Sequence, residues 1–142
     1  MSKPLVIMPC LDMMNGRVVK GVNFVNIRDA GDPVECCRAY CAAGADEIAM
    51  LDITATVESR ATMLEVVKKV AAVKTVPFTM GGGISSVQAA EAVLNAGADK
   101  ISTSSAVFRR PEMIGEMIKA FGAEKVTVTL FAPSSDTSAK LC

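Results

Sequence analysis

Ala43-Gly44-Ala45-Asp46-Glu47-Ile48 returns fifty-three residues later as Ala96-Gly97-Ala98-Asp99-Lys100-Ile101. Each copy lies between the end of a helical pattern and the start of an even-numbered apolar run, so a unit of two strands and two helices is written twice. Working outward, Glu47 to Ile53 and Lys100 to Ser104 read as the second and fourth strands. Leu5 to Leu11, a nearly continuous apolar run ending at Asp12, reads as a fully buried first strand. Val76 to Met80 reads as the third and Lys125 to Phe131 as a fifth. Helical spacing fills the intervals. Asp32 as N-cap and Pro33 at the first helical position open a helix that runs to Ala43. Met63, Leu64, Val67, Val70 and Ala71 mark a second over Ala61 to Val73. Val87 to Ala96 and Pro111 to Phe121 complete the set, with Gly44, Gly97 and Gly122 as stops. The segment Met13 to Gly31 reads as a long polar loop, with an Asn15-Gly16 turn and Val18-Val19 as a short hairpin arm.

Strand and helix alternate, which predicts an α/β fold with a parallel sheet and right-handed crossovers. The first strand leads into Asp12-Met13-Met14-Asn15-Gly16 and not into a Gly-x-Gly-x-x-Gly turn, so the dinucleotide fingerprint of an open doubly wound sheet is missing. A closed eight-stranded parallel barrel takes about 250 residues. This chain has 142, and is expected to be the (βα)4 half of such a TIM barrel plus a fifth strand. Residues 1–132 would form the half-barrel and 133–142 a polar tail.

Composition narrows the chemistry. Fifteen basic residues balance fifteen acidic ones and only 4% of residues are aromatic, so nothing favours nucleic acid or a charged membrane surface. The chain is 51% hydrophobic with mean hydropathy +0.37. No apolar run approaches the roughly 18 residues of a membrane span, and Met1 to Pro4 begin no signal peptide; a cytoplasmic protein is expected. There is no histidine, which removes His-based acid–base chemistry and leaves proton transfer to carboxylates, lysines or thiols. Five cysteines, three of them at 36, 37 and 41, do not resemble a secreted disulfide framework. Cys37 and Cys41 share a helix face and are read as small apolar packing residues. No metal and no cofactor is expected.

The stretch Val76-Pro-Phe-Thr-Met-Gly-Gly-Gly-Ile-Ser-Ser-Val87 carries the candidate binding site. Its three glycines let the main chain approach a ligand, and Ser85 or Ser86 can cap the following helix, whose N-terminus suits a phosphate. The same residues would equally serve a plain strand-to-helix turn. Asp12 and Asp52, at strand ends, are likewise open to two uses: accepting N–H bonds from their own loops, or chemistry at the carboxyl ends of the strands.

Pro9-Cys10-Leu11-Asp12, Gly16-Arg17-Val18-Val19-Lys20-Gly21, Arg28-Asp29-Ala30-Gly31-Asp32-Pro33, Leu51-Asp52-Ile53-Thr54 and Pro77 to Ile84 together resemble the cyclase subunit of imidazole glycerol phosphate synthase, over its N-terminal half. The resemblance implies a (β/α)8 barrel of histidine biosynthesis. Its substrate is a phosphoribulosyl formimino aminoimidazole carboxamide ribotide with a phosphate at each end, attacked by ammonia from a partner glutaminase. It assigns Asp12 as one of two catalytic aspartates and Lys20 to a flap over the substrate. Gly82, Gly83, Ser104 and Ser105 fall at one phosphate site, where the family commonly has Asn-Thr for the serine pair. Glu47 and Lys100 match the charged ring of the ammonia gate, with Val6 where an arginine is expected. The second catalytic aspartate falls at Phe131, which carries no proton.

An open arc of strands would leave two edges and, on this reading, an apolar interior in water. Closure by homodimerisation is therefore expected, with Lys125 to Phe131 competing for the edge that the partner's first strand would use. The resulting expectation is a phosphate-binding, homo-oligomeric half-barrel with weak or absent cyclase (lyase) activity. Two alternatives are an active homodimer with Asp12 of both chains as the acid–base pair, and a non-enzymatic assembling fragment. Whether a glutaminase docks at the changed gate is left open by the sequence.

Overall fold

The computed structural model describes residues 5–22, 25–54 and 59–129. Twelve strands and α-helices follow in order: β1 (Cys10–Met14), β2 (Arg17–Val22), β3 (Val25–Gly31), α1 (Pro33–Ala42), β4 (Ile48–Asp52), α2 (Ser59–Val73), β5 (Phe78–Gly81), α3 (Val87–Ala96), β6 (Lys100–Thr103), α4 (Ser105–Arg109), α5 (Glu112–Phe121) and β7 (Val126–Val128). They build one seven-stranded sheet in the order β3-β2-β1-β4-β5-β6-β7. β1, β4, β5, β6 and β7 are parallel, and each pairs with the next in the chain. A doubly wound sheet reverses its strand order at a switch point; these neighbours never reverse. The helices follow the same order, α1 packing on α2, α2 on α3 and α3 on α5. The α/β half-barrel expectation is met to this extent.

Register and alternation divide the sheet into two faces. Leu11, Met50, Met80 and Ile101 lie side by side across four strands, and Ile48 lies opposite Phe78. With Met13 these side chains join Val67 and Val70 of α2, Val93 of α3 and Met113 and Met117 of α5 in one core. The alternate residues form the other face: Cys10, Asp12, Ala49, Leu51, Thr79, Gly81, Lys100, Ser102 and Thr127. The interior expected to be apolar is only partly so: Cys10, Ala49 and Leu51 share this face with Asp12, Lys100 and Thr127, and Thr79 and Ser102 are buried in it.

Two further expectations change. The first strand begins at Cys10 and not at Leu5, and continues to Met14. Pro9 has no N–H to give a ladder, and Leu5, Val6 and Ile7 are 74%, 60% and 61% exposed. This segment still runs beside β4, since Ile7 and Pro9 accept from Asp46, Glu47 and Ala49. The long loop from Met13 to Gly31 is instead the antiparallel hairpin β2–β3, joined to β1 at Met13 and Met14. Its register shifts twice, between Val18 and Val19 and between Lys20 and Val22. Such bulges break the two-residue alternation by which a strand is recognised. The fifth strand is seen as Val126–Val128; Leu130 and Phe131 lie outside the described residues, as does the tail.

The helix ends are largely as read. Ser86 is the N-cap of α3, its hydroxyl accepting from the Ala89 N–H at 3.1 Å, and Gly97 ends that helix at φ 125°. Asp32 occupies the N-cap of α1, with Pro33 next, but its side chain makes no capping bond. No helix among the described residues is long and apolar enough to cross a membrane.

Candidate functional site

The repeat that announced the fold has a mechanical role. In the first copy Asp46 N–H donates to the Ile7 carbonyl at 2.9 Å, and Ile7 N–H donates back to the Asp46 carboxylate at 2.9 Å. In the second, Asp99 N–H donates to the Phe78 carbonyl at 2.9 Å and Phe78 N–H to the Asp99 carboxylate at 2.8 Å. Each aspartate ties the start of one strand to its neighbour. Composition gave no hint of this; the repeated motif was the available signal.

Lys74 adds an ion pair to Asp99, Nζ to Oδ2 2.8 Å. Burial works against ionisation of Asp99, yet the Lys74 ammonium and the Phe78 N–H outweigh it and hold the carboxyl below the ordinary 3.8. A carboxylate depressed in the folded state stabilises above its unfolded pKa, and that contribution is lost as pH falls through the folded value. Asp99→Asn is therefore expected to lower Tm at pH 7, with the difference from wild type shrinking below about pH 4 and gone once both carboxyl states are protonated. Thermal melts from pH 7 to pH 2 read this directly; a difference constant across that range would contradict it.

At the same N-terminal end of the sheet Glu47 and Lys100, which occupy matching places in the two repeats, form an ion pair at 2.8 Å. Val6, in the segment before β1, is exposed. The two residues that the resemblance assigns to a gate thus meet one another.

The opposite, carboxyl end gathers most of the other candidates. Asp12 lies in register with Leu51, Leu51 with Gly81, and Gly81 with Ser102. Its side chain shares the open face with theirs. Gly83 and Ser104 lie two residues beyond Gly81 and Ser102, in the loops that leave β5 and β6. The loop after β5 is tied to the end of β6 by a buried bond, Thr103 Oγ1 donating to the Ile84 carbonyl at 3.1 Å. Below them the Ser102 and Thr129 hydroxyls bond to each other. Ser105, exposed, begins α4, a turn and a half too short to have shown helical spacing in the sequence.

The glycine triplet separates into three uses. A Cβ at Gly81 would lie 2.8 Å from both Leu51 Cδ2 and Ser102 Cβ. At Gly82, where φ is +99°, it would lie 2.0 Å from the Asp52 carbonyl oxygen. These two glycines serve close strand packing. At Gly83, φ +67°, a Cβ would meet nothing within 4 Å. Gly83 alone leaves its surroundings open at the strand ends.

Asp52 is not brought to Asp12. It lies in register with Met13, on the helix-facing side, and its carboxylate accepts from Thr54 N–H at 2.7 Å. Burial, partly offset by Thr54, pushes its pKa upward. A loop-holding role fits it. Lys20, on β2 opposite Arg28, is exposed, and the hairpin is braced by an Arg17–Asp29 ion pair of 3.1 Å. Phe131 lies outside the described residues. Cys37 and Cys41 stand 4.0 Å apart at sulfur. Cys37 is in the core, and burial, with Cys41 next in effect, pushes its thiol up to about 11. Both pack as the apolar reading held.

Consecutive parallel strands with helices in matching order define a half-barrel-like α/β fold. Residues 6–136 match the family model described as histidine biosynthesis protein, and the chain belongs to that family. It is 52% identical over 131 residues to the imidazole glycerol phosphate synthase subunit HisF of Anoxybacillus flavithermus, covering 92% of this chain and 52% of that protein. The protein of the same name from Helicobacter hepaticus is 53% identical over 130 residues, covering 92% of this chain and 52% of its own length. That from Prochlorococcus marinus is 52% identical over 128 residues, or 90% and 50%. The chain spans about half the length of these relatives.

Proposed function

We propose that this chain is a half-length, cyclase-type protein that holds one phosphate of a phosphorylated sugar ligand and assembles with copies of itself, with little or no cyclase turnover. The observation that carries the phosphate reading is the loop after β5, tied to the end of β6. Gly83 is open where Gly81 and Gly82 are crowded, Thr103 ties its loop to the end of β6 just before Ser104 and Ser105, and Asp12 shares the face below. Backbone N–H groups and serine hydroxyls donate well to a phosphate. The names of the relatives, each an imidazole glycerol phosphate synthase subunit, supply the ligand class. Little turnover is expected because the resemblance puts Phe131 where a second aspartate would act.

Self-assembly is supported by the exposed Leu5, Val6 and Ile7 just before β1. It is opposed in one detailed form by β7. That strand pairs with β6 in the same chain, so a partner's β1 would meet β7 and not β6. The reading with Asp12 of both chains as an acid–base pair requires β7 to leave its place.

Thermal unfolding with inorganic phosphate and with a bisphosphorylated sugar tests the binding reading. A ligand bound only by the native state adds about 2.7 kcal/mol at a hundredfold excess over Kd. Ser104→Ala with Ser105→Ala is expected to remove most of that shift without lowering Tm in the absence of ligand. No shift with either ligand would favour a non-enzymatic assembling fragment. Steady-state turnover with free ammonia, equal in wild type and Asp12→Asn, would rule out the paired-aspartate cyclase. Light scattering at micromolar concentration reads assembly; a well-behaved monomer would overturn it.

A further inference from the structure

The two aspartate clamps are alike in geometry and unlike in surroundings. β5, which Asp99 holds through Phe78, is paired with β4 on one side and β6 on the other. Its register is fixed twice over. β1 is paired with β4 through Cys10 to Met13, while β2 reaches it at Met13 and Met14. The Asp46 clamp sits at the far end of that strand, at Ile7, five residues before Asp12.

We propose that Asp46 is a positioning residue for Asp12: it locks β1 in register against β4 and so keeps the Asp12 carboxylate on the face away from the helices. A slip of one residue sends every side chain of a strand to the opposite face. Here it would send Asp12 towards the apolar core beside α1 and α2 and bring Leu11 or Met13 out. The core resists that exchange, but Leu11 and Met13 are the only β1 side chains in it. β4 and β5 also place two each, Ile48 with Met50 and Phe78 with Met80, but parallel neighbours pair both of their edges. The clamp supplies what β1 lacks, a second neighbour along the part of the strand that precedes Met13. It is a reciprocal pair of bonds, one to a charged acceptor, and these are stronger than neutral ones. Asp99 makes the same pair where neighbours on both sides already set the register, so it adds stability alone. That Asp12 has chemistry or binding to perform rests on the proposed function; the register claim does not.

Native-state hydrogen exchange on the full chain tests it without any ligand. The amides of Ala49 and Ile53 donate across to Pro9 and Met13, whereas those of Ile48 and Asp99 donate to Pro77 and Phe78. In Asp46→Ala, protection of Ala49 and Ile53 is expected to fall about tenfold or more while Ile48 and Asp99 stay near wild type. In Asp99→Ala, protection should fall evenly. Asp46→Asn keeps an acceptor for the Ile7 N–H and should restore Ala49 and Ile53 to within about threefold of wild type. Unchanged protection in Asp46→Ala, or an equal fall at all four amides, overturns the proposal. If Asp46→Ala does not fold, Asp46→Asn decides. Retained protection upholds the role as acceptor, and failure of the Asn variant to fold or to protect removes it.

Discussion

Gly82→Ala is expected to leave little or no folded protein at 25 °C, while Gly83→Ala, one residue on, leaves the fold intact. At Gly82 the new Cβ would sit 2.0 Å from the Asp52 oxygen, 2.7 Å from its nitrogen and 2.8 Å from its carbonyl carbon. These are backbone atoms of β4, paired to β1 and β5 on either side, and they have no rotamer by which to withdraw. Overpacking of a side-chain core costs about 1–3 kcal/mol, and a backbone overlap of this depth exceeds it. A φ of +99° adds a conformational penalty of its own. Against a total stability of about 5–15 kcal/mol, this is enough to unfold the molecule. At Gly83 the left-handed φ costs about 1–2 kcal/mol and no atom lies in the way. Urea unfolding followed by circular dichroism separates the two. Equal behaviour would mean that the triplet is a simple flexible turn. In phosphate titrations the effects should reverse in interest, since a methyl at Gly83 enters the open space that the ligand is proposed to use.

The second large effect is expected at Phe78. Its ring is fully buried, in register with Ile48 and within the core shared with α2 and α3. Phe78→Ala should cost about 3–5 kcal/mol, from lost burial and the cavity left behind. The control is Phe108 on α4, which is 75% exposed. Phe108→Ala should change the stability of a single chain by no more than about 0.5 kcal/mol. The denaturation midpoint at two protein concentrations tells more. If Phe108 contributes to self-assembly, its replacement weakens the concentration dependence of the midpoint and leaves the dilute value alone, whereas Phe78→Ala lowers both.

The sequence carried the parallel architecture through spacing that two different physical rules enforce. Helical periodicity in Met63, Val67 and Val70, and the stop at Gly97, follow from the geometry of single elements and survive in any context. The strand at Ile48 to Asp52 is legible for the same reason, since burial on both faces requires an unbroken apolar run. What was not legible depends on pairing. Leu5 to Ile7 is as apolar as a buried strand, yet whether it lies inside or outside depends on what covers it. The β2–β3 hairpin was hidden by its bulges, and α4 by its length. At the candidate site, the glycine triplet was visible but its division was not, because the neighbours that crowd Gly81 and Gly82 come from β4 and β6. Asp12 and Asp52 looked equivalent as strand ends. One residue of register separates their faces, and register is not written in either segment alone.

The sheet in which every parallel strand neighbours the next in sequence also shapes how the chain acquires its structure. Most strand contacts join segments one helix apart, so each new strand meets a partner formed just before it and no early segment waits for a distant one. Loop-closure cost stays low at every step, which favours rapid folding for a mixed α/β chain. On the ribosome, where the amino end emerges first, β1 and β4 can pair and be roofed by α1 and α2 before β6 emerges. Structure then grows along the sheet in the direction of translation, one strand and one helix at a time.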